Sequence, residues 1–270
     1  MIDRLPGLIA SDLDGTLLRG DGAVSDRTRA ALRAATEAGS AVLAATGRPP
    51  RWVEGLHLDL GVDALCVCMN GAMLLDLDSG EVLDHLPFAE GVAAEIAAAV
   101  RAALPGVIFA GQLGARFARE PDWEAMYPHA SDLVAPVDEL VGETVTKLIV
   151  RHPELSLPDL AEAVRAVAGD RSQVTFSGMR IVELSAPGVH KAAGVATAAR
   201  LLGRDPADLL AFGDAPNDLE LLRSAAWGVA VANAHPDVLE AADETTRSNE
   251  DDGVAVVLER LLDVSSRPCT

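Results

Sequence analysis

The chain has 270 residues, 49% of them apolar and 3% aromatic, with a formal net charge of −19 and an isoelectric point near 4.6. A chain of this length can build one large domain or two modest ones around a proper hydrophobic core. Its acidity argues against nucleic acid and anionic membranes as partners, because both bind basic surfaces.

Targeting and cysteine patterns predict a cytoplasmic protein. The N-terminal apolar run is too short for a signal peptide, and no apolar segment is long enough to span a bilayer. Cys66 and Cys68 alternate inside a predicted strand and have no second Cys or His pair nearby. They are therefore interpreted as core residues rather than metal ligands. The sequence carries no signal for an oligomeric state.

Strands and helices alternate in the first part of the chain. Short apolar runs predict strands, and Ser25 and Gly39 mark the start and end of an amphipathic helix. The predicted strands cover 7–12, 40–47 and 63–70, and the predicted helices cover 25–39 and 49–61. Continuous apolar strands separated by helices indicate a parallel sheet covered on both faces.

A different pattern occupies the middle of the chain. Alternating residues around an Asp-Ser-Gly turn predict a β-hairpin over 71–88. Beyond it, helices are predicted over 89–103 and 157–169, and strands over 107–119, 144–152, 172–178 and 180–185. Adjacent antiparallel strands with a few helices indicate a separate α+β unit.

The alternating pattern then returns. Helices are predicted over 191–203, 217–225, 235–242 and 251–263, and strands over 208–214 and 227–233. The expected fold class is therefore α/β, with a doubly wound, mostly parallel, Rossmann-like core. We expect residues 1–86 and 184–270 to form this core and residues 87–183 to form an inserted α+β domain.

Two carboxylates, Asp12 and Asp14, follow the first predicted strand in the stretch Ser-Asp-Leu-Asp-Gly-Thr. Carboxylates this close raise each other's cost of ionisation, so the pair indicates a turn, a calcium loop or a catalytic pair that shares a cation. An EF-hand loop needs Gly at its sixth position and Glu at its twelfth, where this chain has Leu17 and Ala23. A turn needs only one acid and a glycine, which favours the catalytic interpretation.

Further polar groups stand at the ends of later elements: Thr46, Gly47, Arg48, Lys191, Asp214 and Asp218. Ligands of open α/β sheets bind at the carboxyl ends of the strands, so these groups are expected to converge with the first pair. Carboxylates, a hydroxyl, an ammonium group and backbone N–H groups together describe a Mg²⁺-dependent phosphate site.

Taken in order, Asp-Leu-Asp-Gly-Thr, Thr-Gly-Arg, Lys191 and Gly-Asp-Ala-Pro-Asn-Asp resemble motifs one to four of the haloacid dehalogenase-like (HAD) superfamily. The Met-Asn-Gly-Ala stretch and the C-terminal segment that begins Gly-Val-Ala-Val-Ala-Asn resemble its Cof-type sugar-phosphate phosphatases, which carry a cap of type C2B. The likeness covers both core segments. In the middle it extends only to the size and position of the inserted domain, the cap.

The resemblance implies a role for each motif acid. Asp12 is expected to attack phosphorus and form an aspartyl-phosphate. Asp14 is expected to protonate the leaving oxygen and then deprotonate the hydrolytic water. Mg²⁺ is expected to bind Asp12, the backbone carbonyl of Asp14 and Asp214. Asp218 is expected to orient the waters of the metal.

The same resemblance implies which groups bind the phosphate. Thr46, the backbone at Gly47 and Asn217 are expected to hold phosphoryl oxygens, and Lys191 is expected to neutralise charge in the transition state. Arg48 is expected either to contact the substrate or to brace its loop.

Specificity is expected to come from the cap, which would close over the core. Arg180 and Glu183, just before the return to the core, are candidate substrate contacts. The sequence does not rank the other polar and aromatic candidates of the cap: Arg116, Arg119, Trp123, Tyr127 and His129. Asp76 and Asp78 repeat the Asp-Leu-Asp spelling but precede Ser-Gly in a predicted hairpin, so turn chemistry explains them.

The sequence therefore predicts a Mg²⁺-dependent phosphomonoester hydrolase whose partner is a small phosphate ester, such as a sugar phosphate. Two alternatives stay open. A phosphomutase-type phosphoryl transferase would share the aspartyl-phosphate but use a sugar hydroxyl as acceptor. A non-catalytic regulatory protein would bind a phosphometabolite without turnover. A dehalogenase is disfavoured, because that branch lacks the second acid of the first motif, here Asp14.

Overall fold

The chain divides into two compact units in its computed structural model. The structure describes residues 4–54, 56, 63–124, 132–176 and 180–265. The first unit comprises Met1–Asp84 and His190–Thr270, and the second comprises His85–Val189. The sequence predicts domain boundaries at 86/87 and 183/184, whereas the two units change at 84/85 and 189/190.

The first unit is built on one sheet, to which the described residues contribute eight strands. In spatial order these are β14 (Glu244–Thr245), β13 (Trp227–Ala230), β12 (Leu209–Gly213), β1 (Leu8–Ser11), β2 (Ala41–Ala45), β3 (Leu65–Cys68), β4 (Met73–Asp76) and β5 (Val82–His85). Neighbouring strands run parallel from β14 to β3, and β4 is antiparallel to β3.

Burial on both faces explains the continuous apolar sequence of the central strands. Leu8 and Ala10 of β1 join a buried cluster with Val195 and Leu221 on one face of the sheet. Ile9 points to the opposite face, because side chains alternate along a strand, and it is equally buried. The predicted doubly covered sheet is confirmed.

The described helices of this unit are α1 (Asp26–Glu37), α5 (Lys191–Leu201), α6 (Leu219–Ser224), α7 (Pro236–Ala241) and α8 (Gly253–Ser265). The predicted cap of α1 is confirmed, since Ser25 Oγ accepts a hydrogen bond from the Thr28 N–H at 3.0 Å. Helix α1 packs against α8. The helix predicted over 49–61 lies partly outside the described residues, which show a 3₁₀ turn at Pro50–Trp52.

The second unit contains a sheet of six described strands. Their spatial order is β10 (Gln173–Phe176), β11 (Val182–Ser185), β9 (Lys147–Arg151), β6 (Ile108–Leu113), β7 (Arg116–Arg119) and β8 (Leu133–Val134). All neighbours are antiparallel except β7 and β8.

Its described helices are α2 (Val92–Ala103), α3 (Val137–Leu140) and α4 (Leu157–Ala168). One face of the sheet packs against them, with Phe109 and Val150 among Ile96 and Val164. The inserted unit is thus an α+β domain, and the predicted fold class is confirmed. Among the described residues, no helix combines the length and apolar composition needed to cross a membrane.

Candidate active site

Three parallel neighbours, β12, β1 and β2, end at the same edge of the core sheet. Their register pairs Ser11, the last residue of β1, with Phe212 and Ala44, each one residue before the end of its strand. The residues that follow are Asp214 after β12, Asp12 after β1 and Thr46 after β2. The structure therefore brings the first, second and fourth predicted motifs together, as expected for the ligand-binding edge of such a sheet.

Asp12, Asp214 and Asp218 form a carboxylate cluster. Each contributes an oxygen, and these oxygens all lie within 4.8 Å of one another. Asp12 and Asp218 are buried and Asp214 is partly buried. Gathered carboxylate oxygens are the donors that a hard divalent cation prefers, so these residues fit Mg²⁺. Asp14 contributes no side-chain oxygen to the cluster, and its expected contribution through the backbone carbonyl stays a prediction.

Lys191, the first residue of α5, balances part of this negative charge. Its ammonium is fully buried and donates to Asp12 Oδ1 at 2.5 Å and to Asp218 Oδ1 at 2.6 Å. Burial disfavours the ammonium, but the carboxylates of Asp12 and Asp218 outweigh burial and raise the pKa of Lys191 above its usual value. Burial also raises the pKa of Asp12, and the Lys191 ammonium opposes that rise.

Asp218 holds the loop after β12 in place. Its Oδ2 accepts hydrogen bonds from the backbone N–H groups of Asp214 and Ala215, both at 3.1 Å, while Oδ1 accepts from Lys191. A fully buried carboxylate engaged in this way suits a residue that orients the site around a metal.

Asp214 is held by the first motif. Thr16 Oγ1 donates to Asp214 Oδ1 at 2.6 Å, and burial raises the pKa of Asp214 to about 6. Gly15 makes this approach possible, since it has a φ of 85° and a Cβ there would lie 2.6 Å from Asp214 Oδ2. The glycine of the first motif is therefore required by the close packing of two motif loops.

A second cluster offers hydrogen-bonding groups beside the strand ends: Thr46, Gly47, Asn70 and Asn217. Asn217 Nδ2 donates to Asn70 Oδ1 at 2.9 Å, and the Thr46 carbonyl accepts from the Asn70 N–H at 3.0 Å. Within the described parts of the chain, the buried Asn217 Oδ1 has no hydrogen-bond partner. A buried acceptor without a partner is costly, and a ligand or water that donates a hydrogen bond would satisfy this one.

Asn70 has no predicted role, although its Met-Asn-Gly-Ala stretch is part of the resemblance. Met69, Asn70 and Gly71 all have positive φ angles, of 49°, 58° and 100°. Successive left-handed residues are uncommon and strained outside glycine. This turn directs the Asn70 side chain to Asn217. The available sequence signal is the Asn-Gly pair directly after a strand, because both residues tolerate left-handed backbone.

Asp14 binds Arg48 instead of joining the carboxylate cluster. The Asp14 side chain is 59% exposed. Arg48 Nε donates to Asp14 Oδ2 at 2.8 Å, and Nη2 donates to Oδ1 at 2.6 Å. The hydrogen bonds to Asp14 raise the pKa of Arg48 further above its usual value. The sequence offers no sign of this pair, because its members lie on different loops.

The candidate substrate contacts of the cap lie in the second unit. Glu183 is buried, and its Oε1 accepts a hydrogen bond from Lys147 Nζ at 2.6 Å. Arg180 is exposed. Tyr127 and His129 lie outside the described residues. The roles of Arg180 and Glu183 toward a substrate stay predictions.

The second Asp-Leu-Asp stretch behaves as a turn. Asp76 Oδ1 accepts hydrogen bonds from the N–H groups of Asp78 at 2.9 Å and Ser79 at 3.0 Å. This side-chain turn confirms the structural interpretation of the pair. Cys66 and Cys68 are buried free thiols in β3, as their alternation predicts.

Comparisons with known proteins agree with this geometry. A sequence model of the haloacid dehalogenase-like hydrolases matches residues 9–258. The 5-amino-6-(5-phospho-D-ribitylamino)uracil phosphatase YitU of Bacillus subtilis (strain 168) is 30% identical, over 94% of this chain and 97% of its own. A phosphoglycolate phosphatase of Natronomonas pharaonis is 31% identical, over 94% of this chain and 97% of its own.

Solved structures show the same fold. The HAD subclass IIB sugar phosphatase BT4131 superposes with a TM-score of 0.80 at 22% identity, covering 93% of this chain and 97% of that one. TM0651 from Thermotoga maritima superposes with a TM-score of 0.74 at 24% identity, covering 94% of this chain and 97% of that one. The family match spans both core segments and the inserted domain, and the motifs converge as the resemblance implies. The chain therefore belongs to the haloacid dehalogenase-like hydrolase family.

Proposed function

We propose that this protein is a Mg²⁺-dependent phosphomonoester hydrolase that acts on a small phosphorylated metabolite, such as a sugar phosphate. The observation that carries the proposal is the buried Lys191 ammonium held by Asp12 and Asp218, with Asp214 beside them. One ammonium and one divalent cation together offset three carboxylates. A phosphate dianion would then meet little repulsion, despite the net charge of −19.

Asp12 is the proposed nucleophile. Its carboxylate oxygen attacks phosphorus, the bond from phosphorus to the leaving oxygen breaks, and an aspartyl-phosphate forms. Asp14 gives its proton to the leaving oxygen in this half-reaction. In the second half, Asp14 takes a proton from the water that attacks the phosphorus of the intermediate and frees Asp12.

The proposed donors to the phosphoryl group stand on two loops and at the start of α5. The Thr46 hydroxyl, the Gly47 N–H, the Asn217 amide and the Lys191 ammonium are the proposed ligands of its oxygens. A loose phosphoryl-transfer transition state spreads charge over these oxygens, so fixed donors around them lower the barrier.

Asp12, Asp214 and the backbone carbonyl of Asp14 are the proposed Mg²⁺ ligands, with Asp218 behind them. The bound ion would supply positive charge beside the phosphate oxygens. The buried carboxylate cluster supports this assignment.

Relatives support a small metabolite as the substrate class. Their names specify a phosphoribitylamino-uracil for YitU, phosphoglycolate for the Natronomonas pharaonis relative and HMP-PP for a phosphatase of Cronobacter sakazakii that is 29% identical. These compounds share only that each is a small phosphorylated molecule. The proposal therefore specifies that class of substrate and no single compound.

The test is phosphate release without an added acceptor. Purified protein with Mg²⁺ would be screened against sugar phosphates, phosphoglycolate, nucleotides, pyridoxal phosphate and flavin mononucleotide. We expect inorganic phosphate from at least one sugar phosphate, and loss of that activity with a chelator or in Asp12→Asn. Asp76→Asn is the matched control, because Asp76 begins the second Asp-Leu-Asp stretch as Asp12 begins the first. Asn at position 76 preserves the turn.

Other outcomes separate the alternatives. Turnover that requires a sugar hydroxyl as acceptor would support a phosphoryl transferase, and tight binding without turnover would support a regulatory binding protein. Substantial phosphate release by Asp12→Asn would contradict the mechanism.

A further inference from the structure

The ion pair between Arg48 and Asp14 has no part in the chemistry described so far. Asp14 is the proposed general acid, yet its side chain is 59% exposed and lies outside the carboxylate cluster. An exposed carboxylate on a short side chain exchanges rotamers freely unless something holds it. Proton transfer needs the donor within hydrogen-bond reach of the leaving oxygen, so a free rotamer would slow this step.

The two hydrogen bonds from Arg48 hold both oxygens of Asp14. They join Nε to Oδ2 at 2.8 Å and Nη2 to Oδ1 at 2.6 Å. A planar guanidinium that binds in this forked way fixes the position of a carboxylate and also the plane of the group. Each carboxyl oxygen keeps a further lone pair, which can carry the proton given to the leaving oxygen or, once ionised, accept a proton from a water.

Arg48 is itself held by the loop after β2. Its backbone N–H donates to Thr46 Oγ1 at 3.1 Å, and its carbonyl accepts from the Met69 N–H at 3.1 Å. Its Nη1 donates to the Trp52 carbonyl at 3.4 Å, and only 24% of the side chain is exposed. Arg48 therefore anchors Asp14 to the same loop that carries the proposed phosphate ligand Thr46.

We propose that Arg48 is a positioning residue, whose guanidinium holds the Asp14 carboxyl group where it exchanges a proton with the leaving oxygen. The proposal rests on the proposed function. It differs from the expected roles of Arg48, since a substrate ligand would bind the ester itself and a loop brace would act on folding alone.

A series of leaving groups distinguishes these roles. The dinitrophenolate group of dinitrophenyl phosphate leaves without protonation. The phenolate of phenyl phosphate and the alkoxide of an alkyl phosphate need a proton in order to leave. The quantity to compare is kcat/KM, because it covers steps only up to the transfer to Asp12 and excludes hydrolysis of the intermediate. The variants are Arg48→Lys, Asp14→Asn and the double variant. Arg48→Lys keeps the positive charge but cannot form the paired hydrogen bonds of the guanidinium with Asp14. Arg51→Lys on the same loop is the control.

We expect Asp14→Asn to lower kcat/KM for the alkyl ester by roughly 10²–10⁴-fold, the usual contribution of a general acid. Arg48→Lys should lower it by about 10-fold or more, with little loss for dinitrophenyl phosphate. In the Asp14→Asn background, Arg48→Lys should add almost nothing, because residues that act as a unit are not additive. An unchanged kcat/KM for dinitrophenyl phosphate in Arg48→Lys also shows that this variant folds.

Two results would overturn the proposal. An equal loss for all leaving groups would make Arg48 a substrate ligand or a structural brace, and an undiminished effect in the Asp14→Asn background would show that Arg48 acts without Asp14. Both results would leave the phosphatase function intact. If the unmodified protein released phosphate from no ester, the proposed function and this inference would fail together.

Discussion

Gly71 is a position where a single added methyl group should disturb both the fold and the site. It follows β3 with a φ of 100°, and a Cβ at this position would lie 2.3 Å from the carbonyl oxygen of His190. That carbonyl accepts the N–H groups of Ala193 and Gly194, at 3.0 and 3.3 Å, in the first turn of α5. The same turn carries Lys191, so Gly71→Ala presses directly on the backbone that positions the ammonium.

The expected cost has two parts. A non-glycine residue in left-handed backbone costs about 1–2 kcal/mol, and overpacking against backbone costs about 1–3 kcal/mol more. The free energy of unfolding of Gly71→Ala should therefore fall by about 2–5 kcal/mol. At about 2–4 °C per kcal/mol for a unit of this size, Tm drops by about 4–20 °C. Displacement of Lys191 should also lower kcat, by as much as about 10²-fold.

Gly39→Ala is the matched control. Gly39 has nearly the same φ, 99°, but no atom lies within 4 Å of its added Cβ. Its cost is the backbone strain alone, about 1–2 kcal/mol, with kcat unchanged. Urea unfolding and kcat would be measured for both variants. If Gly71→Ala and Gly39→Ala lost the same stability and Gly71→Ala kept its kcat, the close approach of the Gly71 turn to α5 would be refuted.

Two further predictions concern buried charges. Because burial raises the pKa of Asp214 from 3.8 to about 6, the folded metal-free protein binds more protons than the unfolded chain between these values. The free energy of unfolding should fall as pH rises through this window, and Asp214 should contribute about 3 kcal/mol to that fall. The affinity for Mg²⁺ should weaken below about pH 6, because Asp214 is then protonated. Thermal melts with a chelator should show this slope, and Asp214→Asn should reduce it, leaving the part that comes from the raised pKa of Asp12. In the cap, Lys147→Met should cost about 3–5 kcal/mol, because Glu183 loses its buried partner, and adding Glu183→Leu should restore most of the loss. Urea unfolding would measure this, and no recovery in the double variant would show that Glu183 has another essential contact.

Most of the fold was accessible from local patterns. Strands such as β1 and β2 are continuous apolar runs because both faces of the sheet are buried, and burial on two faces leaves a direct trace in the sequence. The Ser25 cap and the Asp76 turn were equally predictable, because each depends on a side chain bonding to backbone a few residues away.

The core of the site was predictable for a related reason. Asp12 and Asp214 stand directly after parallel strands, and parallel strands end at a common edge. The order of strands and motifs along the chain therefore implies that these side chains meet. The sequence by itself determined that Asp12 and Asp214 gather, but not that Asp14 stands outside their cluster, and the motif order determined the family.

Tertiary structure alone decided how the other groups are used. Arg48 binds Asp14 across 34 positions, and Glu183 is neutralised by Lys147 on a neighbouring strand. Neither pair follows from spacing, because long charged side chains have several partners within reach and the surrounding packing selects one. Asn70 reaches Asn217 through three left-handed residues in succession, a backbone path that no periodic pattern encodes. Strand ends bring functional groups into one place, and contacts between loops decide which of them act together.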